Sequence, residues 1–330
     1  MLRVSASPHI RSPRTTRAIM LDVIIALIPA MFAAFFIFGP RSLAIIAVSV
    51  AASVLTEALC NLAMKRDQSI GDLTAVVTGL LLAYGLPASL PLWMAALGAI
   101  VAIGAAKMLF GGLGDNFANP AITGRIFLAV SFGSSMSNSV VLGRVAKTGL
   151  SPDLIGQATA LTNAGDMDLV SQATPLAVAR EMVEGDIPDS LTLFLGNHAG
   201  MIGEVSVLAL LIGALWLLLR GVIDLWIPST MIVSTVLPCW VAGGDPLMHL
   251  MSGGLIIGAF FMATDYVTSP ITAKGKIIFG IGCGLLTFLM RMYSGMPEGV
   301  SFAILIMNIL TPHINNWTKP VTMGGEAHAS

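Results

Sequence analysis

Long apolar stretches recur along most of the chain, and their lengths predict helices that cross a membrane. A helix spans the bilayer core with about 20 mostly apolar residues. Ten stretches approach this length: 20–38, 43–64, 70–86, 91–109, 117–133, 204–219, 223–242, 248–265, 276–292 and 298–314. We therefore expect an all-α polytopic membrane protein with about ten transmembrane helices.

One polar segment separates the first five stretches from the last five. An odd number of spans in each half makes the second half enter the membrane in the opposite direction, as in inverted-topology repeats. Asn119-Pro120 opens the fifth span and Thr311-Pro312 closes the tenth, which supports a 5+5 inverted-repeat arrangement. The expected order is a cytoplasmic N-terminal segment, a first five-helix repeat, an extracytoplasmic loop, a second five-helix repeat and a cytoplasmic tail: residues 1–19, 20–133, 134–203, 204–314 and 315–330.

Composition agrees with this class and narrows the chemistry. The chain is 55% hydrophobic and 11% charged, with a mean hydropathy of +0.86, whereas soluble domains carry about 25% charged residues. A net charge of −1 gives no signal for nucleic acid. Cys60, Cys239 and Cys283 stand far apart in apolar runs. They form no spacing typical of a zinc or iron–sulfur site within this chain.

The distribution of Lys and Arg predicts the orientation, because cytoplasmic loops are enriched in both. Predicted inner segments hold eleven of them: Arg3, Arg11, Arg14, Arg17, Lys65, Arg66, Lys107, Arg220, Lys274, Lys276 and Lys319. Predicted outer segments hold five: Arg41, Arg144, Lys147, Arg180 and Arg291. This bias places both termini in the cytoplasm and residues 134–203 outside it.

The outer loop contains a threonine whose surroundings suit two roles. Thr174 is followed by Pro175, and residues 174–183 predict a helix with Thr174 at its N-cap. Backbone donors and the helix dipole also favour an anion at such a start. An ordinary cap and a phosphate ester on Thr174 therefore remain open on local chemistry.

Polar residues at the predicted spans supply further candidates. Asn116 and Asn119 flank the start of the fifth span, where their amides suit either a helix cap or a hydrogen bond to a polar ring. Ionisable groups at membrane depth are costly and indicate function. Glu57 and Asp265 are candidates for a cation path, and Arg125 is a candidate partner for a flavin or a carboxylate.

Four segments together resemble the RnfD/NqrB family of membrane subunits over nearly the whole chain, and the length favours the RnfD branch. They are residues 119–127 (NPAITGRIF), 168–176 (DLVSQATPL), 262–270 (MATDYVTSP) and 301–312 (SFAILIMNILTP). The resemblance implies a fold like that of urea transporters. It also implies FMN joined through a phosphoester to a threonine by a separate flavin transferase.

The transferase pattern of the family matches Asp168, Ser171, Ala173 and Thr174, so the resemblance assigns the covalent FMN to Thr174. Gln172 stands where the pattern usually has glycine. A similar segment, residues 153–159, has Gly156 at the position where the pattern has a hydroxyl side chain. It also lacks the Pro-Leu that follows Thr174, so Thr159 is the weaker match. In the related NqrB, two asparagines contact a non-covalent riboflavin, and their positions match Asn116 and Asn119.

The resemblance implies a subunit of a bacterial inner-membrane Rnf complex. Such a complex couples electron transfer between ferredoxin and NAD(H) to Na⁺ or H⁺ translocation, and its A, B, C, E and G subunits would be partners. The alternative is a secondary transporter or channel of the same fold without a redox group. A third interpretation, supported by Gln172, is a scaffold subunit that has lost its flavin site. The segment 168–174 distinguishes the first interpretation from the transporter.

Overall fold

A computed structural model describes the chain over six ranges, and it is built almost entirely of helices. The described residues are 14–137, 140–142, 169–171, 174–179, 188–294 and 299–319. Two three-residue strands, β1 (Val140–Leu142) and β2 (Leu169–Ser171), pair antiparallel with Val141 opposite Val170. The helical, apolar architecture confirms the expected class of membrane protein.

The first half contains two long helices followed by shorter ones. The helices are α1 (Thr16–Phe38), α2 (Pro40–Ala63), α3 (Thr74–Tyr84), α4 (Leu92–Ile103, continued by a π-helical turn at Gly104–Met108), α5 (Pro120–Ser131) and α6 (Gly133–Ser137). A 3₁₀ turn at Ile70–Asp72 precedes α3. The predicted third and fifth spans are therefore shorter helices than their apolar stretches.

The second half repeats this mixture of long and short elements. Two short helices, α7 (Pro175–Ala179) and α8 (Ser190–Leu195), lie in the predicted loop before it. They are followed by α9 (Val207–Leu219), α10 (Trp226–Val241), α11 (Pro246–Met251), α12 (Leu255–Ile257, continued by a π-helical turn at Gly258–Met262), α13 (Ala273–Tyr293) and α14 (Val300–Trp317).

The outer faces of the helices suit an apolar environment. Among the described residues, α1, α2 and α13 are individually long and apolar enough to cross a membrane, and α3, α4, α5, α9 and α10 are shorter apolar helices. Phe36, Leu62 and Leu219 are at least 70% exposed on these faces. Apolar exposure on this scale would be a liability in water, and it is explained by contact with lipid.

Two predicted boundaries are wrong. Residues 248–265 do not form one helix, because Gly253 and Gly254 adopt φ values of +65° and +67° and break the chain between α11 and α12. Pro312 does not end the last helix but lies inside α14. A proline removes one backbone donor, whereas ending the helix in apolar surroundings would leave several backbone groups unpaired.

The break that follows α3 is closed by the segment that directly precedes the second half. The N–H of Gly203 donates to the carbonyl of Tyr84 at 2.9 Å, and the N–H of Ile202 donates to that of Leu86 at 2.9 Å. Arg125 Nε donates to the carbonyl of Gly85 at 2.8 Å. The non-helical backbone is thus hydrogen-bonded inside the protein.

The break between α11 and α12 is closed by one side chain. Arg291, on α13, donates to the carbonyls of His249 at 2.5 Å, Ser252 at 2.7 Å and Gly253 at 3.4 Å. Only 1% of Arg291 is exposed. Its guanidinium therefore supplies donors to carbonyl groups that the break leaves without a helical partner.

The two halves meet along helix pairs. α1 packs on α9, and α5 packs on α14. At the first contact, Gly213 lies so close to α1 that an added Cβ would overlap the carbonyl oxygen of Ala26. Arg220 Nε, just beyond α9, binds the Asp22 carboxylate at 3.0 Å and secures the same pair of helices.

Gly213→Ala should lower the thermal stability of the purified chain in detergent. The new methyl group would push α1 from α9, and overpacking of this kind costs about 1–3 kcal/mol. The matched control is Gly71→Ala, because an added Cβ at Gly71 meets nothing within 4 Å. Equal melting temperatures for both variants would contradict the close contact.

Candidate functional site

A cleft lies where the ends of several short helices meet. The starts of α3 and α5 and the end of α12 border it, and Phe260 and Phe261 form part of its apolar wall. The polar residues that line it are Thr74, Thr78, Lys107, Asn116, Asn119, Thr264, Asp265 and Tyr266. Apolar walls with a few convergent polar groups are typical of a small-molecule site.

Asn119 caps α5 and also joins two elements of the cleft. Its Oδ1 accepts from the N–H of Ala121 at 3.0 Å and of Ile122 at 3.4 Å. Its Nδ2 donates to the carbonyl of Met262 at 3.2 Å. The capping role that the sequence left open is therefore present, and it ties the start of α5 to the end of α12.

Asn116 differs from Asn119 because its acceptor is not used. Its Oδ1 is buried and has no hydrogen-bond partner within the part of the chain that the structure describes. A buried polar atom without a partner is rare in folded proteins and calls for a ligand or water. Since Asn116 lines the cleft, this oxygen can accept a hydrogen bond from a ligand N–H or O–H.

Asp265 lines one side of the cleft, and its carboxylate accepts hydrogen bonds from two nearby donors. Its Oδ2 accepts from the Thr268 hydroxyl at 3.0 Å, and its Oδ1 accepts from the N–H of Val267 at 3.4 Å. Beside it, burial and then the charge of Asp265 raise the pKa of Tyr266 to about 12. The Tyr266 phenol therefore stays protonated near neutral pH.

Glu57 is held by Lys107, whose position predicts a place in an inner segment. Lys107 Nζ lies 2.7 Å from Glu57 Oε2, and the two side chains are 2% and 1% exposed. Glu57 also accepts from the Ser69 hydroxyl. The π-helical turn of α4 carries Lys107, and π-helical turns often occur at functional sites. A buried glutamate requires a partner, but only the fold identifies it.

Lys107 connects this ion pair to the cleft. Its ammonium group also donates to Thr74 Oγ1 at 2.6 Å. The Thr74 hydroxyl in turn donates to Asp72 Oδ1 at 2.7 Å. Since Lys107 and Thr74 both line the cleft, a polar chain runs from the cleft to the buried carboxylate of Glu57.

Arg125 lies outside the lining of this cleft. Besides the Gly85 carbonyl, it donates to the Ser301 hydroxyl on α14. Its charge interacts with the buried carboxylate of Glu204, which also interacts with Arg291. The structure thus supplies Arg125 with a neighbouring carboxylate, one of the two kinds of partner expected from the sequence.

Thr174 lies apart from the cleft, at the start of α7. Its carbonyl accepts from the N–H of Val178 at 3.1 Å. The structure describes this helix over Pro175–Ala179, and residues 180–187 lie outside the described ranges. Ser171 ends β2, opposite Val140. Asp168, Gln172, Ala173 and residues 153–159 also lie outside the described ranges.

Comparison with known proteins gives a consistent result. The model of the NQR2, RnfD, RnfE family matches residues 3–324. The D subunit of the Na(+)-translocating ferredoxin:NAD(+) oxidoreductase complex of Acetobacterium woodii is 44% identical over 96% of this chain and 94% of that protein. The D subunit of the proton-translocating ferredoxin:NAD(+) oxidoreductase complex of Clostridium ljungdahlii is 39% identical over 97% of this chain and 96% of that protein.

Lys107→Met should destabilise the chain by about 3–5 kcal/mol, because it leaves Glu57 buried without its cation. The double variant Lys107→Met/Glu57→Gln should recover much of this loss, which chemical or thermal unfolding in detergent would measure. Lys276→Met is the control: its partner Asp224 is 61% exposed, so a loss under about 1 kcal/mol is expected. A double variant with fully additive losses would contradict the coupling.

Proposed function

We propose that this chain, which belongs to the NQR2, RnfD, RnfE family, is the flavin-carrying membrane subunit of an Rnf-type complex. This complex would couple electron transfer between ferredoxin and NAD(H) to cation translocation. The observation that carries the proposal is the match, over almost the full length of both chains, to the D subunits of complexes with this named activity. One relative is named for Na⁺ and the other for protons, so both ions remain candidates.

Covalent FMN on Thr174 is the proposed redox group. The pattern of Asp168, Ser171, Ala173 and Thr174 supports it, as does family membership. Thr174 is half-buried at the start of α7. Bound FMN would supply electron transfer, while this chain would hold the phosphate through Thr174 and orient the flavin.

The cleft is the proposed site of a second, non-covalent flavin such as riboflavin. A flavin ring carries N–H and carbonyl groups at one edge, which suit the free Oδ1 of Asn116 and the Lys107 ammonium. Phe260 and Phe261 provide an apolar wall for the ring faces. The role of Asn119 would be indirect, since its own amide already joins α5 to α12.

Asp265 and Glu57 are the proposed carboxylates of a cation path. Asp265 lines the cleft, and the Thr268 hydroxyl lies beside it as a further oxygen ligand. Glu57 is already neutralised by Lys107. A cation could bind at Glu57 only if the ammonium group moved away, which makes Asp265 the more accessible of the two.

The packing supports the proposed 5+5 inverted repeat, with the two halves at 20–133 and 204–314. First helix packs on first helix across the halves, α1 on α9, and last on last, α5 on α14. Within the halves, α2 packs on α4 as α10 packs on α13. In the proposed topology the termini lie in the cytoplasm and residues 134–203 lie outside the bacterial inner membrane. The partners would be the A, B, C, E and G subunits of the Rnf complex, with the flavin transferase required for maturation.

Thr174→Ala should abolish covalent flavin, because it removes the hydroxyl that forms the phosphoester. The measurement is in-gel flavin fluorescence of the denatured chain, followed by peptide mass mapping. Thr159→Ala is the matched control and should keep the adduct. Flavin retained in the Thr174 variant would refute the assignment, and no adduct on the wild-type chain in a host with the transferase would favour the transporter interpretation.

Tags fused to either terminus should be inaccessible to membrane-impermeant reagents in intact cells. The excess of basic residues in the predicted inner segments is the physical reason for this expectation. A cysteine introduced between residues 143 and 168 should in contrast react from outside. Labelling of a terminal tag without permeabilisation would overturn the proposed orientation.

A further inference from the structure

The short helix that begins after Thr174 is fixed to the helical body by one buried leucine. Leu176 is 1% exposed and packs in a small apolar cluster with Leu193 of α8 and Met248 of α11. Thr174 lies two residues before this anchor. The position of its side chain therefore depends on where Leu176 is seated.

Gly253, in the break between α11 and α12, forms the seat for this leucine. A Cβ added at Gly253 would clash with Leu176 Cδ1 and would lie 2.9 Å from Arg291 Nη2. The space beside this glycine is thus filled by Leu176 on one side and the guanidinium on the other. A φ of +65° also favours glycine at this position.

Buried charged side chains also hold the backbone of this break. Arg291 binds three carbonyls of the break, at His249, Ser252 and Gly253. A Cβ at the adjacent Gly254 would lie 2.6 Å from Glu204 Oε2, and Glu204 interacts with the charge of Arg291. Hydrogen bonds to charged groups are stronger than neutral ones, so the backbone under Leu176 is firmly placed.

We infer that the α11–α12 break is a seat that positions Thr174, with Gly253 as the positioning residue and Leu176 as the anchor. The consequence for a flavin rests on the proposed function, whereas the seat itself does not. The same short helix, α12, begins at this seat and ends with Phe260 and Phe261 in the wall of the cleft. One element therefore fixes the attachment point of the proposed FMN relative to the cleft.

The first test measures how accessible the side chain at position 174 is to a reagent, and it needs no flavin. In a Thr174→Cys background, Gly253→Ala should raise the rate of maleimide labelling of the introduced cysteine by about fivefold or more, because the new methyl group displaces Leu176. Gly221→Ala is the matched control. Gly221 has a similar φ of +61°, but an added Cβ there meets nothing within 4 Å. Peptide mass mapping would separate this label from labels on the three native cysteines.

The second test uses the chain with native Thr174 and its flavin. Gly253→Ala should lower the fluorescence anisotropy of the Thr174 adduct and shift its midpoint potential, while Gly221→Ala should leave both unchanged. Loss of stability alone would not change the environment of the flavin in the folded fraction. Unchanged anisotropy and potential in Gly253→Ala would count against the seat.

The two tests separate the inference from the function on which it depends. A wild-type chain without FMN on Thr174 would defeat the proposed function, yet the labelling test would still decide the seat. Equal labelling of the Gly253→Ala and Gly221→Ala variants would overturn the seat even if FMN is present. If Gly253→Ala does not fold, Leu176→Ala removes the anchor instead, and unchanged labelling of the introduced cysteine in that variant would equally overturn the inference.

Discussion

Backbone hydrogen bonding at two helix breaks governs how the helices of this protein are arranged. In apolar surroundings each unpaired N–H or carbonyl group costs several kcal/mol. The first break takes its donors from Ile202, Gly203 and Arg125, and the second takes them from Arg291. These contacts bring distant parts of the chain together, so the helices α3, α5, α12 and α13 cannot be placed independently of one another.

The buried charges follow from the same constraint. Arg125 and Arg291 act as backbone donors, and both of their charges interact with the carboxylate of Glu204. Lys107 and Glu57 neutralise each other in a separate pair. Because a lone buried ion is costly, each charge here fixes its partner's helix as well as its own. The pairing also places Lys107 at the cleft, where a structural ion pair becomes available to a ligand.

The short helix α12 links the two proposed flavin positions. Its first residues follow Gly253, against which Leu176 at the start of α7 packs. Its last residues form part of the cleft, and the amide of Asn119 holds their end. A continuous helix through residues 248–265 would have removed both the seat and the cleft wall. The break between α11 and α12, which the apolar pattern did not predict, therefore positions both Leu176 and the wall of the cleft.

Local features of the amino-acid sequence were enough to establish the class of the protein, most of its helices and its family. They also identified the candidates Asn116, Asn119, Asp265 and Thr174. Chain length, apolar runs and motifs can be recognised without knowledge of the fold. Tertiary contacts were required to show that Lys107 pairs with Glu57, that Arg125 supports a helix break and that α14 continues through Pro312. The first two features depend on contacts between residues 50 and 40 positions apart. The energy of burying a charge or an unpaired backbone group is decided by such neighbours, and no local pattern records them.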